Sequence, residues 1–225
     1  MQIKPYDFSD LLANSKINKL IFADICSSTM DLATVWQNES EPVLIIAESQ
    51  TSGRGQKQRY WLSPKKTGIW ATIVIHQKVS ALAQKTAIAI AESLVELGCP
   101  EPIKIKWPND IYLSGKKTAG VLIEGAYYQK QQSWAIGIGI TMNAIELEQV
   151  MPLAHHWPNA PDRNKILASI INKLFAIIDL EEIASLYAKH DMLFNKQVPP
   201  GIAKGINKYG QLIVQKANGK IVVLG

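Results

Sequence analysis

The chain has 225 residues, 47% of them hydrophobic, and a formal net charge of +5. This length allows one large domain, or one domain with a small appendage, and the apolar fraction is enough for a buried core. The N-terminal residues lack the apolar stretch of a secretion signal, and no later run reaches the ~18 apolar residues of a membrane span. These features argue against secreted and membrane-spanning classes and predict a soluble, cytoplasmic protein.

Apolar, β-rich runs alternate with helical patterns through the first half of the chain. These runs predict strands, in the order LIFADI, VLIIAES, IWATIVIH and IKIKW. Further strands follow around DIYL, TAGVLIEGAYY and SWAIGIGIT. Because these last three strands are joined by short turns, they predict an antiparallel meander.

Helical patterns are predicted over 29–37, 81–97, 163–178 and a shorter stretch that ends at about 190. Ser28, with Asp31 three residues later, resembles a capping box before the first helix. Ser80 is the predicted N-cap of the second helix, and Gly98 is its predicted stop. Helices beside an antiparallel sheet define an α+β fold.

Prolines and glycines punctuate the brief strands that follow Asn195, a pattern typical of a small barrel-like module. We therefore place a boundary near Phe194. The prediction is a main unit over 1–194 and a C-terminal β module over 195–225.

Cysteines, histidines and charge distribution argue against several kinds of site. Cys26 and Cys99 have no CxxC spacing, so neither a disulfide framework nor a thiolate metal site is predicted. Adjacent His155 and His156 lack the spacing of zinc-binding helices. Lysine and arginine are dispersed, which is more typical of a solvated surface than of a phosphate-binding face. No resident metal is predicted.

A basic loop, GRGQKQRYW at residues 53–61, follows the second strand. It combines two glycines with three cationic side chains, so a mobile anion clamp is the functional interpretation. The competing interpretation is an exposed hairpin that binds nothing, which the loop alone favours. Gln50 before the loop offers an amide donor and acceptor, and Trp61 offers a large planar surface that is more typical of ordinary packing.

Polar residues also follow the strand in IKIKWPND. Strand alternation places Lys104 and Lys106 on one face and leaves Asn109 and Asp110 at the strand end. Taken separately, the two lysines are typical of a solvent-exposed strand face, and Asn109 and Asp110 are typical of a common turn. Lys117, after the next turn, could meet a phosphate or a carboxylate, with a solvated lysine pair as an equal alternative.

Glycines at period two leave one face of the AIGIGIT strand nearly bare. Gly137 and Gly139 share that face with Thr141. Glycine inside a strand costs about 0.5–1 kcal/mol relative to alanine, so something must approach the backbone closely. A flat ligand or a packed helix would satisfy this. The chain shows no P-loop, no GxGxxG after a strand and no GxSxG elbow.

In order, the segments SSTMDLA, AESQTSGRGQKQRYWLSP, KIKWPNDIYLSGKKTAGVLIEG and GIGIT closely resemble the signatures of biotin protein ligases, also called biotin–[acetyl-CoA-carboxylase] ligases. The likeness is strong from Leu20 to about Asn143 and loose over the C-terminus. It implies a class II synthetase-like catalytic domain, built on a mostly antiparallel sheet flanked by helices, with a small SH3-like β module.

The resemblance also implies a reaction and a set of site residues. ATP, with Mg²⁺, activates biotin to biotinyl-5′-AMP, and a lysine of a biotin carboxyl carrier protein, an acetyl-CoA carboxylase subunit, accepts the biotin. The implied catalytic residues are Lys117, Arg54, Arg59 and Asp110. The implied biotin contacts are Ser28, Thr29, Met30, Gln50, Arg54, Gly55, Gln56, Lys117, Gly120, Gly137 and Gly139. The implied nucleotide contacts are Arg54, Arg59, Trp61, Lys106, Trp107, Asn109, Lys117, Thr141 and Asn143.

The sequence departs from the family pattern at three positions: Gln56 and Gln58 replace the arginine and glycine often found in the loop, and Thr141 replaces the usual asparagine.

Two other functions are possible for such a sequence: a lipoate ligase or octanoyltransferase of the same superfamily, and a non-catalytic nucleic-acid-binding module. The combined GRG and KWPND motifs argue against the first, and dispersed charge argues against the second. No DNA or membrane partner is expected, a repressor function is disfavoured because the signature begins by Ser27, and a homodimer is left open.

Overall fold

The computed structural model describes residues 3–76, 80–128, 131–143, 150–177 and 180–225. Its helices are α1 Phe8–Asn14, α2 Thr29–Ala33, α3 Leu82–Glu96, α4 Leu153–His156, α5 Arg163–Ala176 and α6 Leu180–His190. The first seven strands are β1 Lys19–Cys26, β2 Val43–Gln50, β3 Gly68–Ile75, β4 Ile103–Lys106, β5 Asp110–Leu113, β6 Lys116–Tyr128 and β7 Gln131–Thr141. The C-terminal strands are β8 Gln197–Val198, β9 Gly201–Ile206, β10 Leu212–Gln215 and β11 Ile221–Leu224.

The large sheet has seven strands in the order β1-β2-β3-β7-β6-β5-β4. β1 and β2 pair in parallel, and the other neighbouring strands pair antiparallel. The predicted meander is confirmed, because β5, β6 and β7 are successive antiparallel neighbours. The mostly antiparallel sheet with flanking helices confirms the predicted α+β class.

Helices cover both faces of this sheet. The larger cluster of buried side chains joins the sheet to α3 and α5, whose inward faces carry aliphatic residues. On the opposite face, α2 packs Met30 and Ala33 against Val43, Ile45 and Val74. β2 and β3 are central strands with apolar residues on both faces, which explains why their sequences are nearly continuous apolar runs.

Helix ends agree only partly with the sequence prediction. The chain enters α3 through Ala81, which has a φ of 55° and makes no side-chain cap, so Ser80 as N-cap is wrong. The predicted stop at Gly98 is confirmed: the helix ends just before it, and its φ of 90° gives the left-handed turn after the helix. The first predicted helix is a short α-helix, α2, continued by a 3-10 turn over Thr34–Trp36. The predicted end at Ile178 lies outside the described residues.

A buried ion pair connects β2 to the start of α5. Two guanidinium nitrogens of Arg163 lie 3.0 and 2.7 Å from the carboxylate oxygens of Glu48. The side chains are only 2% and 7% exposed. The ring of Tyr6 lies 3.6 Å from the guanidinium carbon, which places the N-terminal segment over the pair. These contacts join the N-terminal segment, β2 and the start of α5.

The C-terminal residues form a four-stranded antiparallel sheet in the order β11-β10-β9-β8. Its buried residues Ala203, Ile206, Leu212 and Val214 belong to the same apolar cluster as the main sheet. The Trp107 indole N–H also donates to the carbonyl of Gly210 at 3.0 Å. The small β unit is therefore packed against the larger one, and the division at residue 194 stays a prediction.

Candidate functional site

A cavity of about 210 Å³ lies over the glycine positions of β6 and β7. Sixteen of the residues singled out from the sequence line it, and they come from α2 and its N-cap, β2, the 53–61 loop, the residue before β5, and strands β5 to β7. They are Ser28, Thr29, Met30, Gln50, Arg54, Gly55, Gln56, Arg59, Trp61, Asn109, Asp110, Lys117, Gly120, Gly137, Gly139 and Thr141. The fold therefore brings together motifs that are distant in sequence.

The Gln50 amide is held by hydrogen bonds on both sides. Its carbonyl oxygen accepts from the Thr29 backbone N–H at 2.8 Å, the Thr29 hydroxyl at 3.1 Å and the Ser28 hydroxyl at 3.4 Å. Its NH₂ group donates to Ser63 Oγ at 2.7 Å. Behind Thr29, the buried Thr72 hydroxyl donates to Thr29 Oγ1 at 2.8 Å. This network fixes the amide orientation and presents several polar groups to one part of the cavity.

The glycine face of the sheet is covered by Met30 and Trp61. A Cβ at Gly137 would lie 2.9 Å from Met30 Sδ, and one at Gly139 would lie 2.6 Å from the Trp61 indole. Gly120, which pairs with Gly139, would bring its Cβ within 3.2 Å of the same indole. The sequence predicted that some group approaches these glycines closely. That group is Met30 of α2 at Gly137 and the Trp61 ring at Gly139.

The basic loop is a small hairpin, called here the loop hairpin (residues 53–61). Trp61 N–H donates to the Gly53 carbonyl at 2.8 Å, and Gly55 N–H donates to the Arg59 carbonyl at 2.7 Å. Glycine is required at 53, because a Cβ there would lie 2.4 Å from the Trp61 carbonyl oxygen. The tip, Gln56–Gln58, is exposed and contains Lys57 and Gln58 at positive φ. The hairpin forms part of the cavity wall.

Arg54, at the base of the hairpin, is bound by two carboxylates. Its Nε and Nη2 each lie 3.0 Å from an oxygen of Glu124 on β6, and Nη1 donates to Asp31 of α2. The bond to Glu124 contributes most to raising the pKa of Arg54 above its usual value. Partial burial acts to raise the pKa of Asp31, but hydrogen bonds from Ser27 and Arg54 outweigh it and leave that pKa lowered.

Lys117 and Asp110 form an ion pair in the same cavity, with 2.7 Å between Nζ and Oδ1. The Lys117 ammonium also lies 4.8 Å from the centre of the Trp61 ring, within cation–π range. Both charged side chains are 28% exposed, so they are partly shielded and still reachable by a ligand. A bulge in the β5–β6 pairing, between Tyr112 and Ile111, accompanies the placement of Lys117 beside the cavity.

Asn109 and Thr141 complete the polar lining near this ion pair. Asn109 is 4% exposed, and its side-chain NH₂ donates to the carbonyl of Val121. Its backbone carbonyl accepts from Val121 N–H at 3.3 Å, so the residue joins the start of β5 to β6. Thr141 is 1% exposed and pairs with Gly68 in the sheet. Asn109 thus has a structural contact as well as a place in the lining.

Three residues predicted to contact nucleotide do not line the cavity: Lys106, Trp107 and Asn143. Lys106 is exposed on the outer face of β4. Trp107 points its indole N–H to Gly210 in the C-terminal sheet. Asn143 donates its backbone N–H to the carbonyl of Thr67 at 2.9 Å. Their contact with nucleotide stays a prediction.

Several lining or supporting residues were not assigned a site role from the sequence. Glu124 lies on the same strand face as Gly120, so the sequence predicted which way its side chain points. The sequence did not predict that its partner is Arg54. Asp31 was interpreted only as part of a helix cap. Thr72 and Ser63 support Gln50 through pairings that the sequence pattern does not reveal.

Within the part of the chain that the structure describes, no group of three or more His, Cys, Asp or Glu side chains is arranged to hold a metal ion. None of the described helices has both the length and the apolar character needed to cross a membrane.

Comparison with known proteins shows the family. A model of the Biotin/lipoate A/B protein ligase family matches residues 22–141, which is more than half of the chain, so the chain belongs to this family. The Bifunctional ligase/repressor BirA of Bacillus spizizenii is 38% identical over 132 residues, covering 55% of this chain and 40% of that protein. BirA of Escherichia coli is 31% identical over 198 residues, covering 76% of this chain and 61% of that protein.

Among solved structures, the biotin protein ligase from Aquifex aeolicus in complex with biotin and ATP has a TM-score of 0.77 at 23% identity. The match covers 92% of this chain and 96% of that one. At this identity the likeness establishes a common fold. The chain spans about two fifths of the length of the Bacillus relative.

Proposed function

We propose that the protein is a biotin protein ligase, which forms biotinyl-5′-AMP from biotin and ATP and transfers the biotin to a lysine of a carrier protein. One observation carries the proposal: a single cavity contains the Gln50 amide network, a glycine floor and the Lys117–Asp110 ion pair. The description of the matching family and the Aquifex structure, which was solved with biotin and ATP, support the choice of substrates.

The polar network suits the ureido ring of biotin. That ring offers one carbonyl acceptor and two N–H donors, and Ser28, Thr29 and Gln50 supply hydroxyl, amide and backbone groups close together. The surrounding Met30 and Trp61 provide apolar surface for the fused rings and the aliphatic tail. A site with matched polar groups rejects analogues that lack their partners, because buried groups would be left unpaired.

The charged residues suit the activation step. A carboxylate oxygen of biotin attacks the α-phosphorus of ATP, the bond to pyrophosphate breaks, and two anions must approach one another. Lys117 has three N–H donors, so it can keep Asp110 while meeting the carboxylate or phosphate oxygens. Gly120 lies beside Lys117 on β6, and a Cβ there would be 3.2 Å from Lys117 Cε.

Mg²⁺ would accompany ATP and supply positive charge that offsets the charge of the phosphates. The donors present fit such an ion, because Mg²⁺ in nucleotide sites takes one or two carboxylates and retains several waters. Asp110 lines the cavity and Asn109 precedes it. Arg59, exposed on the loop hairpin and also lining the cavity, would add positive charge next to the phosphates.

In the transfer step, a carrier lysine amine attacks the acyl carbon, the bond to AMP breaks, and a proton is released. The protein needs no covalent nucleophile of its own. Its contribution is to hold the mixed anhydride away from water, and the loop hairpin with Trp61 would form the barrier.

The test is pyrophosphate exchange into ATP, with biotin, lipoate or octanoate as the acid. We expect exchange that depends on biotin, followed by labelling of a carrier domain. Equal exchange with lipoate would assign the protein to the other branch of the family. Absence of exchange with any of these acids would reject the ligase activity and favour a binding module.

A further inference from the structure

Arg54 links the loop hairpin to two elements of the main fold. Its guanidinium makes two parallel hydrogen bonds to Glu124 of β6, each 3.0 Å long, and a third bond to Asp31 of α2. Asp31 is in turn oriented by Ser27, whose hydroxyl donates at 2.6 Å. The two carboxylates are 23 and 70 residues from Arg54 in sequence, so only the fold brings them together.

Three of the five guanidinium N–H groups are used in these bonds. Two parallel bonds to one carboxylate fix the plane of the guanidinium as well as its position. The cluster of one cation and two anions carries a formal charge of −1. It would therefore repel a phosphate group, unless Arg54 first left its partners.

The backbone of Arg54 pairs with Tyr60 across the base of the loop hairpin. Anchoring the Arg54 side chain to α2 and β6 thus restrains the entire hairpin next to the cavity. Arg59 differs: it is exposed, lines the same cavity and has no ion pair with a described residue. The two arginines of the hairpin therefore have different electrostatic surroundings.

We infer that Asp31 and Glu124 are positioning residues, which hold Arg54 as the tether of the loop hairpin, while Arg59 is the hairpin arginine available to phosphate. The inference rests on the proposed function for its catalytic consequence. The tether itself is a property of the protein without substrates. Removing either carboxylate should loosen the hairpin and release the adenylate before transfer.

Hydrogen exchange of the ligand-free protein tests the tether without any assay of activity. In Glu124→Gln and Asp31→Asn, the Gly55 and Trp61 amides should exchange about tenfold faster than in the unsubstituted protein. Glu39→Gln is the matched control, because Glu39 forms an ion pair with Lys19 away from the hairpin. It should leave these two amides unchanged. Unaltered exchange in both tether variants would overturn the inference.

A double-variant cycle tests the consequence for the adenylate. The rate of adenylate release is measured for Arg54→Ala, Glu124→Gln and the double variant. If Glu124 acts through Arg54, Glu124→Gln should raise the rate about tenfold, Arg54→Ala should raise it at least as much because it also removes the bond to Asp31, and the double variant should match Arg54→Ala. Multiplied effects would show that Arg54 and Glu124 act independently and would reject the tether.

The KM for ATP distinguishes two roles for Arg54, namely tethering the loop hairpin and binding phosphate. A tether predicts an ATP KM within twofold of the original in Glu124→Gln, and a raised KM in Arg59→Ala. If Glu124→Gln instead lowered the ATP KM and retained the adenylate, Glu124 would be withholding Arg54 from phosphate, which contradicts the inference. Should the unsubstituted protein show no biotin-dependent exchange, the proposed function fails, whereas hydrogen exchange still decides the tether.

Discussion

Adding one methyl group at Gly139 should displace the Trp61 indole from the cavity wall. A Cβ at this position would lie 2.6 Å from two indole atoms and 2.8 Å from a third. Non-bonded carbons prefer a separation of about 3.5–4.0 Å, so the ring has to move by roughly 1 Å. The Trp61 backbone cannot follow easily, because its N–H is bonded to the Gly53 carbonyl and its carbonyl to Ser63 Oγ.

Overpacking of this kind costs about 1–3 kcal/mol. If Trp61 forms the wall of the biotin site, the loss falls on biotin binding, and Gly139→Ala should weaken the affinity about 5- to 150-fold. Isothermal titration with biotin measures this directly. Replacing Trp61 by the smaller Phe in the Gly139→Ala background should restore part of the affinity.

Gly137→Ala on the same strand is the matched control. Its new Cβ would meet Met30 Sδ at 2.9 Å, the far part of a flexible side chain that can shift at low cost. The Gly137→Ala variant should therefore lose much less affinity than Gly139→Ala. An unchanged affinity in Gly139→Ala with the fold intact would refute the assignment of Trp61 to the ligand wall.

Three further changes test the charge, the amide network and the scaffold. Lys117→Ala should slow single-turnover adenylate formation by about 10² or more, since its ammonium stabilises developing charge; an unchanged rate would contradict that role. Thr72→Val removes one hydrogen bond to Thr29 and should weaken biotin binding about fivefold, measured by titration. Glu48→Gln leaves the charge of the 2%-exposed Arg163 without its anionic partner and should cost about 3–5 kcal/mol, lowering Tm by about 6–20 °C in calorimetry; a Tm within 2 °C would argue against the pair's importance.

Strand identities followed from local patterns, because alternating or continuous apolar residues determine which faces of a strand are buried. The α+β class and the β5–β7 meander could be predicted in this way. The parallel pairing of β1 with β2 could not, since its register depends on where the connecting chain returns. The start of α3 also differs from the prediction, because Ala81 adopts a left-handed conformation that residue preferences do not favour.

The sequence by itself determined the chemistry of the candidate site. The residue types in its motifs, and their order along the chain, identified an amide, a basic loop, a lysine and a bare glycine face as candidates for one site. Tertiary structure decided which of these groups meet. It placed the Trp61 ring against Gly139, bound Arg54 to Asp31 and Glu124, and turned Trp107 towards Gly210 across 103 residues. Such contacts depend on strand register and on the packing of distant elements, whereas a motif specifies only neighbours along the chain.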